Sequence, residues 1–361
     1  MKDIHGGDVW EAARALGLEP HEIIDFSSSI NPLGPPKGAL RAAARALKFA
    51  PAYPEPHSAT LVRAFARRHG LVPGRVLAAN GSVELIHLVP RVLRPERALI
   101  VEPAFSEYRA ALGLAGSRVK GLAARAADSF RPSPARLAAA LDAATGCPDL
   151  LFVANPANPT GALMEKAGLI EIIRLCRRRG TTVVVDEAFM DFTEGESVKD
   201  AVGRYTNLVV LRSMTKFYSL AGLRLGFLVA SEAMVKRFSR SIPPWNVNTA
   251  AAAAAAAALT DDKFAARTLE WLSRERAYLA RGLEATGLLR VYPSSANFLM
   301  AEITAGAPPA GELGSRLFRR GILIRDLAGF RGLGPRFFRV AVKGRRENRL
   351  LLAATGEALC G

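Results

Sequence analysis

Three short apolar runs constrain this chain more than any other feature. Leu150-Leu-Phe-Val-Ala154, Thr181-Thr-Val-Val-Val185 and Leu208-Val-Val-Leu211 are dense in β-branched and large aliphatic side chains. Each is too short for a core helix and too apolar for a strand with one wet face, so each reads as a fully buried strand. Helical patterns recur between the strands. The expectation is an α/β chain whose mostly parallel sheet is sandwiched by helices. Polar residues follow every run: residues 155–161, Asp186 with Glu187, and the stretch from Ser213 to Lys216. In open α/β folds the carboxyl ends of such strands are where ligands bind.

Lys216 is the centre of the chemistry expected there. Burial penalises an ammonium group, lowers its pKa and leaves a better amine nucleophile toward a carbonyl. Ser213 lies three residues before it and Arg224 eight after it, and a hydroxyl with a guanidinium suits a phosphate. Amine, carbonyl and phosphate together point to pyridoxal 5'-phosphate as cofactor. Asn80-Gly81-Ser82-Val83 joins a strand pattern to a helix pattern. Backbone amides at such a helix start attract anions, so Gly81, Ser82 and Val83 are expected in the phosphate cup.

With 361 residues, half of them apolar, the chain can bury a large core in two domains. The expected division is an arm over 1–50, a large domain over 51–258, and a linking helix with a small α/β domain over 259–361. The formal charge of +16 raises the question of nucleic acid. Its arginines are dispersed on helix faces, as in Arg174, Arg177, Arg178 and Arg179, and no nucleic-acid-binding motif accompanies them. No nucleic-acid partner is therefore expected. The start of the chain lacks a signal peptide's apolar core, and no membrane span is indicated, so a cytoplasmic protein is expected. Cys147, Cys176 and Cys360 share no metal-ligand spacing and the five histidines are scattered, which argues for reduced thiols and no metal site.

Along the chain, Asp8 is placed to cap a helix over 9–16 that Gly17 stops. Residues 23–26 read as a strand, and the Pro and Gly density of 27–36 dictates an extended path. Further helices are predicted over 37–47 and 60–70, within 231–245, in the alanine tract 250–258 and over 261–283. The C-terminal part predicts strands at 289–292, 297–301, 322–324 and 337–342 and a helix at 312–320. Arg339 stands inside the last of these strands, and a guanidinium is rarely buried without an anion.

Taken together, these motifs resemble the fold-type-I pyridoxal phosphate enzymes of the class I and II aminotransferase superfamily, over most of the chain. The resemblance implies that Lys216 holds the cofactor and serves as acid and base, with Asp186 against the pyridine nitrogen and Asn158 donating to the phenolic oxygen. Phe105 is the implied stacking partner of the ring, with Tyr108 as a second candidate. Ser213, Arg224 and the amides of Gly81, Ser82 and Val83 would hold the phosphate. Tyr53, in a Tyr-Pro pair, would reach the cofactor phosphate of the partner subunit, which implies a homodimer. Phe189 stands where many members carry a tyrosine, one hydrogen-bond donor fewer near the phenolic oxygen.

The opening is similar to that of one subgroup, the threonine-phosphate decarboxylases of cobalamin synthesis. It pairs His5-Gly6-Gly7 with Asp25-Phe26-Ser27 and Asn31-Pro32-Leu33-Gly34. The related histidinol-phosphate aminotransferases share the Asn-Pro part but generally not the His-Gly-Gly opening. The resemblance thus implies a lyase that converts O-phospho-L-threonine to aminopropanol phosphate. His5, Gly6, Asn31, Asn158, Arg325 and Arg339 would bind this small phosphorylated amino acid. The alternative is an aminotransferase acting on histidinol phosphate or a related amino acid. Both reactions use the same residues and differ in which bond to the substrate α-carbon stands perpendicular to the cofactor plane, which spacing does not reveal.

Overall fold

The computed structural model describes residues 6–142, 147–304 and 306–360. Strand β1 (Ile24–Asp25) belongs to the N-terminal arm. Seven strands then build the larger sheet: β2 (Val76–Ala79), β3 (Arg97–Glu102), β4 (Arg118–Ala123), β5 (Leu150–Ala154), β6 (Thr182–Asp186), β7 (Leu208–Ser213) and β8 (Gly226–Ala230). Their order in space is β2-β8-β7-β6-β5-β3-β4.

Neighbouring strands from β4 to β7 pair in parallel. Strand β8 is antiparallel to both β7 and β2, so the sheet is mixed at that edge. The reason is local. The segment between β7 and β8 forms the lysine turn and leaves no helical crossover, so the chain returns antiparallel.

Alternation along the central strands explains their unbroken apolarity. Leu151, Val153, Val183, Val185, Leu208 and Val210 face one hydrophobic cluster, while Phe152, Val184, Val209 and Leu211 face another on the opposite side. Helices cover both faces, so neither parity of side chain meets water.

A four-stranded antiparallel sheet follows, ordered β12-β13-β10-β9. It comprises β9 (Leu289–Val291), β10 (Phe298–Ile303), β12 (Arg325–Asp326) and β13 (Phe337–Ala341). The strand expected over 322–324 is divided. Its first residues form β11 (Ile322–Leu323), which pairs in parallel with β1 and ties the arm to this part of the chain. The next strand begins at Arg325, where β12 pairs with β13.

Helix Val9–Leu16 starts on Asp8, whose carboxylate accepts from Glu11 N–H, and stops at Gly17 in the left-handed conformation. Helix Asp262–Glu284 is capped in the same way by Asp261. The basic helix is shorter than the stretch 231–245 that contains it, ending at Ser239 ahead of Pro243 and Pro244. Proline cannot supply the amide a continuing helix needs. The alanine tract forms helix Thr249–Ala258, capped by Asn248 and buried through Ala251, Ala254, Ala255 and Ala258. It packs against helix Lys37–Ala46.

No described helix is long and apolar enough to cross a membrane. Among the described residues no group of three His, Cys, Asp or Glu side chains could hold a metal ion.

Candidate active site

A cavity of about 220 Å³ opens at the carboxyl ends of β5, β6 and β7. The structure brings Gly6, Ser82, Val83, Phe105, Asn158, Asp186, Ser213, Lys216, Arg224 and Arg339 to its wall, all of them singled out from the sequence. His5 lies outside the described residues.

Asp186 ends β6 and is buried. Its carboxylate accepts from the Tyr108 hydroxyl at 2.6 Å and from Ala188 N–H at 3.0 Å. Burial raises its pKa above the usual carboxylate value, opposed by those two hydrogen bonds and by Lys216. The Tyr108 hydroxyl is itself pushed well above its ordinary value, by burial and then by the Asp186 charge. It therefore remains a donor to Asp186.

Lys216 is half-buried at the cavity wall, and its pKa is pushed down to about 8. Burial is the main cause. The Arg339 and Arg224 guanidiniums add to it, and Asp25 and Asp186 oppose it. The result is a lysine that carries much more neutral amine near neutrality than an exposed one does.

Three residues upstream, the Ser213 hydroxyl lies 2.8 Å from that of Thr215, which also lines the cavity. Facing them, Gly81 adopts φ +89°, and a methyl group there would sit 2.9 Å from Arg224 Nη2. A methyl group on Gly226 would come within 2.5 Å of Ser82 N. Two glycines thus let the start of helix Ser82–Leu93 and the Arg224 guanidinium close on one spot. Hydroxyls, helix-start amides and a guanidinium form a donor set suited to a phosphate.

Arg339, in β13, is 8% exposed. It donates through Nη1 to Asn158 Oδ1 and through Nη2 to the Ser27 carbonyl at 2.7 Å, while Nε has no partner. Its pKa is pushed down to about 10 by burial and next by Arg325, against the pull of Asp25. Both of its acceptors are uncharged. The guanidinium therefore has no carboxylate paired with it at the cavity wall.

Several expected residues sit elsewhere. Asn31 is 1% exposed and does not line the cavity. Its amide nitrogen donates to the Phe217 carbonyl at 2.8 Å and to Thr268 Oγ1 at 3.0 Å, and its main-chain N–H to the Lys216 carbonyl at 3.1 Å. With its oxygen accepting from Leu33 N–H, the side chain holds the lysine turn and has little left for a substrate. Arg325 lies directly across the strand pair from Arg339, outside the cavity lining, with its guanidinium 5.6 Å from the Phe330 ring centre. Gly81 is not among the lining residues, but its lack of a side chain leaves room for Arg224. Tyr108 does line the cavity, with its ring stacked on Phe152 at 4.8 Å between centres and edge-on to Phe105. Tyr53 is 79% exposed and stacks on Trp245, away from this cavity.

Sequence reasoning missed Thr215 and the serines Ser27, Ser28 and Ser29, all of which line the cavity. The triple serine just ahead of Asn31 was the available signal. Phe189 also lines the wall, packed edge-on against Phe298.

A seven-stranded α/β sheet carrying a cavity-lining lysine and a buried carboxylate at its strand ends, with a smaller antiparallel unit beside it, is the fold-type-I architecture of pyridoxal phosphate enzymes. The chain belongs to the aminotransferase class I and II family, whose model matches residues 21–354. It is 39% identical over 359 residues to the threonine-phosphate decarboxylase of Salmonella typhimurium, covering 99% of this chain and 97% of that one. It is 35% identical over 366 positions to a histidinol-phosphate aminotransferase of an Anaeromyxobacter species, covering 99% and 96%. In fold it is similar to the crystal structure of histidinol-phosphate aminotransferase from Sinorhizobium meliloti in complex with pyridoxal-5'-phosphate. That likeness has a TM-score of 0.87 at 22% identity and covers 98% of this chain and 94% of that one.

Proposed function

We propose that this protein is a pyridoxal-phosphate-dependent carboxy-lyase that converts O-phospho-L-threonine to aminopropanol phosphate, the step in cobalamin synthesis that its relatives' activity implies. The observation that carries this reading is that Gly6, from the His-Gly-Gly opening, lines the same cavity as Lys216 and Arg339. The full-length likeness to a threonine-phosphate decarboxylase supports it.

The donor set fits the cofactor. Ser213, Thr215, Arg224 and the amides of Ser82 and Val83 would hold its phosphate, and Phe105 would lie against its ring. Asp186, fixed by Tyr108 and Ala188, would keep the ring nitrogen protonated, and Asn158 would donate to the phenolic oxygen. When bound, pyridoxal phosphate supplies an electron sink for the pair released when a bond to the substrate α-carbon breaks. Arg339 would fork the substrate carboxylate, and Gly6 with the arm would cover the substrate. Lys216, in its ammonium form, would deliver a proton to the α-carbon after carbon dioxide leaves and return to the neutral amine. Tyr53, exposed beside Trp245, would serve the neighbouring subunit of a homodimer.

A product assay with O-phospho-L-threonine and no keto-acid acceptor tests this. Carbon dioxide and aminopropanol phosphate should accumulate over many turnovers, and Lys216→Ala should abolish both. Amino-group transfer from histidinol phosphate to 2-oxoglutarate, with no carbon dioxide, would instead make the protein an aminotransferase.

A further inference from the structure

The segment after β1 runs along the rim of the cavity, and Ser27, Ser28 and Ser29 line it beside Gly6. One oxygen fixes this segment. Asp25 Oδ1 accepts from Ser27 N–H at 2.7 Å, from the Ser27 hydroxyl at 2.5 Å and from Ser28 N–H at 3.2 Å. Its hydroxyl hydrogen being committed to Asp25, Ser27 Oγ has only lone pairs to offer, and it accepts from Gly7 N–H at 2.8 Å. The Ser27 carbonyl, in turn, accepts from Arg339 Nη2 at 2.7 Å.

The two glycines of the arm are in close contact with this turn. A methyl group on Gly6 would lie 2.8 Å from the Ser27 carbonyl oxygen, and one on Gly7, at φ +97°, would collide with Ser28 Oγ. The turn is anchored on its far side as well. Phe26 N–H donates to the Leu323 carbonyl and Ala341 N–H to the Phe26 carbonyl, both at 2.8 Å.

We propose that Asp25 is a positioning residue that, through the Ser27 turn, couples the Gly6–Gly7 arm to Arg339 so that both are set around the substrate as one unit. The proposal rests on the reading of this cavity as the active site. An ionised carboxylate makes stronger hydrogen bonds than a neutral acceptor, which suits it to hold a turn rigid. The geometry also separates two tasks. Ser27 orients Arg339 through a neutral carbonyl, which leaves the guanidinium charge for an anionic substrate. Asp25 stays behind the turn, where its charge favours the cationic forms of Lys216, Arg339 and Lys343 without pairing with any of them.

The test follows hydrogen–deuterium exchange of the peptide covering residues 6–16 in the holoenzyme, alongside steady-state kinetics. Asp25→Ala removes the shared acceptor. Amide exchange in the arm should accelerate about tenfold or more, and KM for O-phospho-L-threonine should rise about tenfold while kcat falls less than about threefold. Asp25→Asn keeps an oxygen at Oδ1 and should restore slow exchange. Ser27→Ala keeps the backbone carbonyl for Arg339 but loses the acceptor for Gly7. It should free the arm with a smaller rise in KM than Asp25→Ala. Should Asp25→Ala not fold, Ser27→Ala decides alone. Arm exchange unchanged from the parent in either variant overturns the coupling, as does a loss confined to kcat. The exchange measurement needs no turnover. If the parent does not release carbon dioxide from O-phospho-L-threonine, the proposed function falls while exchange still judges the coupling.

Discussion

Arg212 and Arg339 are both arginines within strands, 1% and 8% exposed, yet their surroundings are opposite. Arg212, in β7, pairs with Glu187 at 3.1 Å, Asp191 at 3.0 Å and Glu194 at 2.6 Å. Arg339 donates to a side-chain amide oxygen and a backbone carbonyl and lies over the Phe298 ring, with no carboxylate paired to it. Each leaves Nε without a partner, so the difference lies in the carboxylates. Burial by itself would lower the pKa of both. At Arg212 the charges of Asp191, Glu194 and Glu187 reverse the effect and hold it above the usual value, whereas at Arg339 burial prevails. A buried guanidinium saturated by carboxylates is architecture, here bracing the ends of β6 and β7 behind the cavity. One left charged beside a cavity is a place for an anion.

The largest expected effect that tests this contrast is on folding. Arg212→Met strands the fully buried Glu187 without its counter-charge and should destabilise the protein by about 3–5 kcal/mol, read from urea denaturation. Arg339→Met removes a charge that no carboxylate pairs with and should leave stability within about 1 kcal/mol of the parent. Equal losses would erase the distinction between the two arginines.

Activity should sharpen the contrast from the other side. Arg339→Met loses charge-assisted hydrogen bonds to the substrate carboxylate, worth about 1.5–3 kcal/mol, so KM should rise about ten- to a hundredfold. An unchanged KM would remove Arg339 from substrate binding.

A smaller effect should appear at Lys216 in the cofactor-free chain. Its pKa falls from 10.5 to about 8 on folding, so the unfolded chain binds more protons between those values. The cost of burying the ammonium is present in full below the folded pKa and fades as pH rises toward the unfolded one. Lys216→Met should therefore be more stable than the parent near about pH 7 and lose that advantage by about pH 10. A stability difference that does not change with pH would contradict the lowered pKa.

The Ser213–Lys216–Arg224 set was legible because its members sit on one strand–turn–strand unit, where spacing along the chain fixes spacing in space. Asp186 was legible for a similar reason, as the residue that ends a fully apolar strand. Asn31 misled because its Asn-Pro-Leu-Gly setting says nothing about direction. Its amide turns inward to a carbonyl 186 residues away in the chain and to the Thr268 hydroxyl. Tyr108, expected only as a second stacking candidate behind Phe105, lines the cavity and gives its hydroxyl to Asp186 across 78 residues.

Local chemistry determined which segments could be strand or helix, because side-chain shape, capping and the apolar period act within a few residues. A uniform run of alanine shows the limit. Composition makes Thr249–Ala258 a helix, but only packing against the helix Lys37–Ala46 and its neighbours selects Ala251, Ala254, Ala255 and Ala258 as the buried stripe. The site divides in the same way. The sequence by itself supplied the lysine, the carboxylate and the phosphate-binding offsets. That Arg339 is oriented by a serine carbonyl 312 residues earlier was decided by the tertiary structure alone, since that contact exists only after the sheet that carries β13 has folded and the arm has paired with β11.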